Sequence, residues 1–443
     1  MVGSSAAVHA QSLQVLTQQA QGFDAAWQSA QAQYSASLSQ SAQSKAALLP
    51  QAGVQLGQQY SDTRLDSSLP AQRTHGQQRT ASLQLQQPLY NSASFASYQQ
   101  GQRNADLAQW ALESARQDLL LRVAKAYFQL LSASDNLQLL QAQKTSVREQ
   151  LAYAQRNFEL GVATVTDSLE AQSRFDLVQA QEIAAANDVR VAQMALFQLT
   201  GVAQAQPWPL AQPFRLPAFK QQSVSAWLDE AQALNPLIRQ AEIRQAVAAL
   251  ETKKASAGHK PSIDLQASYS HQRNPDGGSA LGTAAVASQG SRSTVGSVGV
   301  VMTIPVFSGF AVQNRVKETL ALEDKAHADA LDAQRQVEHA VRSAVFAVET
   351  ASSQITALEA AVASSESSLQ ANQLGYEVGV RINMDVLNAQ AQLYQAQKDL
   401  AKARYDLLLA HLQLRQAVGS LTPEDLALID QVCAPAATPV AAK

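Results

Sequence analysis

The chain has 443 residues, enough for two or three ordinary domains, yet only 16% are charged and 6% aromatic. Its formal net charge of -3 lacks the basic footprint of a nucleic-acid binder. Its one cysteine, Cys433, excludes an intrachain disulfide and a cysteine metal cluster. No apolar run reaches the ~18 residues a membrane-crossing helix needs, so any crossing must use strands closed into a barrel.

At the start, Val8-His9-Ala10 before Gln11 resembles the small-x-small end of a signal peptide, but without the charged and apolar regions that precede one. Residues 1–10 are therefore read as a signal-peptide remnant or a chance match. No cysteine stands nearby to carry a lipid.

A first structural repeat is expected over 11–200: helix, strand pair, long helix, return helix. Val54, Leu56 and Tyr60 alternate with Gln55, Gly57 and Gln59; Leu83 and Leu85 alternate with Ser82, Gln84 and Gln86 before Pro88. This period of two fits strands with lipid on one face and water on the other, or two soluble hairpins. Residues 61–78 between them read as a polar loop. From Gln102 to Leu160 there is neither glycine nor proline, and Leu112, Leu119, Val123, Tyr127, Leu130, Leu137, Val147, Leu151 and Phe158 recur at heptad-like spacing. A rod of this length extends about 100 Å. Phe158-Glu159-Leu160-Gly161-Val162 then supplies a turn, and an antiparallel helix returns.

Residues 201–228, with Pro207, Pro209, Pro213 and Pro217, read as an irregular linker, and shorter helices are expected across 224–257. The second repeat, 229–420, follows the same plan. Ile263, Leu265, Ala267 and Tyr269 alternate with polar residues, residues 272–292 read as a loop, and Val298, Val300, Met302 and Ile304 alternate again. Phe310 to Leu374 is a second stretch without glycine or proline, ending at Tyr376-Glu377-Val378-Gly379-Val380. Asp167 and Asp385, Leu169 and Leu387, Asp188 and Asp406, and Gly201 and Gly419 match at one constant offset, so the chain is internally duplicated. Residues 421–443 read as a tail, disordered after Val432.

Four strands cannot close a barrel, and open sheet edges are not tolerated in lipid, so several copies have to share one sheet under cyclic symmetry. The fold class expected is thus mixed α and transmembrane β, a barrel continued by a long antiparallel coiled-coil helical barrel. No constellation for bond chemistry, metal or cofactor binding stands out. A coiled-coil scaffold or surface protein without a pore would explain the rods but not the strand pair repeated before each.

The motifs Ala126-Tyr127-Phe128, Gln141-Ala142-Gln143-Lys144, Gly161 with Thr166-Asp167, Gly375-Tyr376-Glu377-Val378-Gly379 with Arg381, and Leu400-Ala401-Lys402-Ala403-Arg404-Tyr405 resemble the TolC outer-membrane efflux family. The resemblance covers about Phe23 to Leu428. It implies a homotrimer with a twelve-stranded barrel in the outer membrane of a Gram-negative bacterium, and a helical tunnel reaching into the periplasm. It further implies recruitment by a periplasmic adaptor and an inner-membrane pump or ABC transporter. Site residues follow by the same resemblance. Thr166, Asp167, Tyr376 and Arg381 match a closed-state latch, with Arg156 standing where the family has an assisting residue. Asp385 and Asn388 match the entrance ring; Asn388 departs from the family aspartate. The tips Leu160, Gly161, Val162, Val378, Gly379 and Val380 match the adaptor contact. From the residues alone, Asp167 and Asp385 also suit helix caps, and the glycines suit turns.

Overall fold

The computed structural model describes residues 11–65, 72–211, 213–214, 222–275 and 290–433. The expected remnant at 1–10, residues 434–443 of the tail, 212 and 215–221 of the linker, and 66–71 and 276–289 of the two loops lie outside the described residues. The chain divides into two compact units, one holding 34–108 and 241–330, the other the remainder.

The first of these units is built on a four-stranded antiparallel sheet, β1 (Gln51–Leu65), β2 (Gln72–Tyr90), β3 (Ser262–Asn274) and β4 (Ser291–Thr303), in the order β1-β2-β3-β4. The strands run through much of what composition marked as loop, so the expected loops at 61–78 and 272–292 shorten. Ladder hydrogen bonds join backbone groups, and Tyr60 pairs with Gln77 and Asp62 with His75 whatever their polarity. Register sorts the side chains. Ala52, Leu85, Ala267 and Val298 lie in one row, and Val54, Leu83 and Tyr269 in the next. Leu265 pairs with Val300 and Ile263 with Met302 on the same face. The intervening rows, Gly53-Gln84-Ser268-Ser297 and Gln51-Gln86-Gln266-Gly299, point the other way. This apolar face is uncovered, with Val298 78% exposed.

The other unit is helical and carries the main core. Its elements include α1 (Leu13–Phe23), the distal part of α3 (Ser92–Glu159), α4 (Val165–Thr200), α5 (Val224–Leu234), most of α7 (Ala311–Glu377), α8 (Asn383–Val418) and α9 (Pro423–Asp430). Two further helices, α2 (Ala25–Ala46) and α6 (Pro236–Ser256), lead into β1 and β3. Leu13, Leu16, Leu119, Leu120, Val123, Tyr127, Leu196, Leu408, Leu412, Leu426 and Ile429 form one buried cluster. Residues 421–433 of the expected tail therefore belong to this core. The Asp430 carboxylate accepts from Leu13 N at 2.8 Å and Gln14 N at 3.0 Å, satisfying two free amides at the start of α1. α5 begins at Val224, inside the stretch read as linker.

The duplication is carried down to element lengths. α4 and α8 both have 36 residues, α1 and α5 both have 11, and α3 and α7 have 68 and 67.

Candidate functional site at the paired helix turns

α3 ends at Glu159 and α7 at Glu377 for the same local reason. Gly161 has φ 74° and Gly379 has φ 78°, a left-handed conformation that side chains with a Cβ adopt at a cost. Val162 N then donates to Asn157 O, and Val380 N to Gly375 O, each at 2.9 Å. These bonds wrap the last carbonyls and reverse the chain. The flanking Leu160, Val162, Val378 and Val380 are 65–76% exposed, so each turn presents an apolar tip.

Beyond the turns the two copies diverge. In the first, Thr164 caps α4 in a reciprocal box: Asp167 N donates to Thr164 Oγ1 at 3.2 Å, while Thr164 N and Oγ1 donate to Asp167 Oδ2 at 3.0 and 2.8 Å. Asp167 thus serves as the third residue of the helix rather than as its N-cap. The second copy has Ile382 at the capping position, with no side-chain cap. Asp385 is left to pair with Arg381, 3.7 Å away on a half-exposed surface. The expectation that Asp385 caps its helix is corrected; the hydroxyl that would complete the box is missing.

Tyr376 packs edge-on against Tyr153, with ring centroids 6.0 Å apart. Burial holds its hydroxyl above the usual tyrosine pKa, the charge of Asp167 adds to that, and a hydrogen bond to Asn157 opposes it. Tyr376 and Asp167 are therefore electrostatic neighbours. Arg381 turns to Asp385, and exposed Arg156 sits in the last turn of α3. Thr166 lies exposed in the first turn of α4. Asn388 accepts from Arg174 Nη2 at 3.4 Å, a link from α4 to α8 that sequence reasoning missed. Tyr153, Asn157 and Arg174 have no motif of their own and became visible only once α3, α4 and α8 were placed side by side. Thr164 was legible as Thr-x-x-Asp.

Residues 16–202 and 227–420 match the sequence model of the outer membrane efflux protein family. The chain belongs to that family. The chain is 33% identical over 422 residues to the outer membrane protein TolC of Vibrio cholerae, covering 95% of this chain and 94% of that relative. It is 36% identical over 353 residues to the alkaline protease secretion protein AprF of Pseudomonas aeruginosa, covering 79% and 71%. Its fold matches the outer membrane channel CmeC of Campylobacter jejuni with a TM-score of 0.79 at 16% identity, covering 97% and 94%. Membership of the family makes the chain an outer-membrane channel of the efflux and type I secretion kind, in a Gram-negative bacterium.

Proposed function

We propose that three copies of this chain form the exit duct of a tripartite efflux pump or type I secretion system. The observation that carries the proposal is the four-stranded sheet, open at β1 and β4, with one face apolar from the Ile263–Met302 pair to the Val54–Leu83–Tyr269 row and polar from the Gln58–Arg79–Arg273–Arg292 row on. An even number of antiparallel strands lets β4 of one copy pair with β1 of the next without reversing any strand. Outer-membrane lipid then covers the apolar face, and the glutamine and serine rows line the pore. The helix pairs α3–α4 and α7–α8 continue the wall into the periplasm as a coiled helical barrel. Two repeats, 11–200 and 229–420, are supported by the two matched family segments at 16–202 and 227–420.

The apolar tips at Gly161 and Gly379 meet a periplasmic adaptor, which brings an inner-membrane pump or ABC transporter. Asp385 and Asn388 set ion selectivity at the entrance. Thr166, Asp167, Tyr376 and Arg381, with Arg156 beside them, form the closed-state latch; the proximity of Tyr376 to Asp167 and the exposure of Arg381 support it. The duct carries out no bond chemistry and needs no cofactor or nucleic acid. Purified in detergent, the protein should run at three chain masses and conduct ions across a planar bilayer. A stable monomer that does not conduct would sink the proposal.

A further inference from the structure

Residues paired across the strands of the sheet form rows, and every second row faces the same side. Toward the hairpin ends of the strands, the apolar face passes from Val54-Leu83-Tyr269-Gly296 to Leu56-Ala81-His271-Thr294. In that second row the His271 imidazole and the Thr294 hydroxyl meet at 3.0 Å. The next row of the same face is Gln58-Arg79-Arg273-Arg292. Three exposed arginines thus stand in neighbouring positions on β2, β3 and β4, on strands about 4.8 Å apart.

Such a row works against the fold when nothing is bound to it. Like charges set across from one another in a sheet repel, and a guanidinium keeps its proton at any ordinary pH. Neither acidic residue of the four strands belongs to the row. Asp62 pairs with His75, four residues farther along β1 than Gln58, and Asp264 stands on the opposite face near the helix-linked end. The inward rows, from Gln51-Gln86-Gln266-Gly299 to Gln59-Gln78-Asn274-Ser291, hold no arginine or lysine. The arginines therefore do not serve the pore side. They share a face with the apolar rows.

Height decides what level of a membrane the row meets. From Ile263, the first apolar position of β3, to Arg273 the strand climbs ten residues. That is about 34 Å along the strand, and about 26 Å of height at a tilt near 40°. The apolar band of an outer-membrane barrel is about 25 Å tall. The arginines thus reach its edge, where charge is tolerated and a long stem carries the guanidinium past the apolar rows to the headgroups. Tyr60, one row farther out, suits the same level. Its ring is exposed, while its Oη accepts from Gln77 Nε2 at 2.8 Å and also from Gln58 Nε2.

We infer that the row Arg79, Arg273 and Arg292 is an anchor for the phosphates of lipopolysaccharide at the outer rim of the barrel. The inference rests on the function proposed above, which turns the hairpin ends of the strands to the cell exterior. The leaflet there is a phosphorylated glycolipid whose negative headgroups need cations between them. A guanidinium fork meets a phosphate through two parallel hydrogen bonds, and further copies of the chain repeat the row around the rim. The test compares the full-length parent with the combined variant Arg79→Gln, Arg273→Gln and Arg292→Gln, both in neutral detergent and titrated with purified lipopolysaccharide. The variant should bind at least about tenfold more weakly. Arg79→Lys, Arg273→Lys and Arg292→Lys together should fall between, since the charge stays and the fork is lost. Lipopolysaccharide stripped of its phosphates should bind parent and glutamine variant alike. If the glutamine triple does not assemble, Arg273→Gln alone, at the centre of the row, is read the same way. Phosphatidylglycerol that binds the parent as tightly, and loses as much in the variant, would make the row a general anionic-lipid contact and overturn the assignment. Equal lipopolysaccharide binding by parent and variant, with both conducting ions, would overturn the anchor and leave the duct intact. A parent chain that does not conduct brings down the duct, and the anchor with it.

Discussion

The two turn aspartates began as duplicates and now do different work. Asp167 is held by the Thr164 cap, whereas Asp385, facing Ile382 at the equivalent place, keeps its carboxylate for Arg381. Thr164→Ala should therefore cost about 1 kcal/mol of stability, seen as a lower melting temperature, without changing the reversal potential of the channel. Asp385→Ala should shift that potential toward lower cation selectivity, since a carboxylate ring focuses cations at a constriction. Asn388→Asp should raise selectivity less than a bare carboxylate would, because Arg174 lies within reach to neutralise it. Replacing Tyr376→Phe and Arg381→Ser together should raise single-channel conductance severalfold while the trimer survives. About 1–2 kcal/mol lost at each of three interfaces acts on one concerted transition. Unchanged conductance would leave Asp167 as a cap alone.

At the scale of elements, α8 shows what a single strand of sequence reveals and what it hides. Its length, its closing glycine and its likeness to α4 were legible, because propensity and duplication are local properties. The burial of His411 was not legible: half-buried in α8, it has its pKa pushed down from 6.5 to about 4. In the unfolded chain this histidine takes a proton near pH 6.5, whereas the folded chain resists until about 4, so stability is lost as pH falls across that window. The loss is at most about 3 kcal/mol. Asp135 and Asp430, raised by burial, act in the opposite sense. His411→Gln should remove the histidine's share of the loss, so the melting temperature should fall less than in the parent chain as pH drops from 6.5 toward 4. Asp24 adds a later loss on the acid side, since its hydrogen bond to Arg122 holds its carboxyl below the usual range.

For the whole molecule, the faces of the sheet decide whether the chain is a duct. Alternation in Val54 to Tyr60 and Ile263 to Tyr269 was visible in the sequence, but how far the strands ran was not. Ladder bonds carry β1 and β2 past the point where apolar side chains stop. Neighbouring residues on β4 give a direct contrast. Val298 stands in the row with Ala52, Leu85 and Ala267, and Ser297 in the row with Gly53, Gln84 and Ser268. If lipid covers the first row, Val298→Arg should cost about 2–4 kcal/mol near the bilayer midplane and sharply reduce the heat-resistant trimer recovered from outer membranes. If water fills the side of the second row, Ser297→Arg should assemble normally. Its three added charges should then move the reversal potential toward anions. Equal loss of trimer from both substitutions would mean that both faces are packed against protein, and equal tolerance that neither meets lipid. Only the asymmetric result fits a pore whose wall is this sheet.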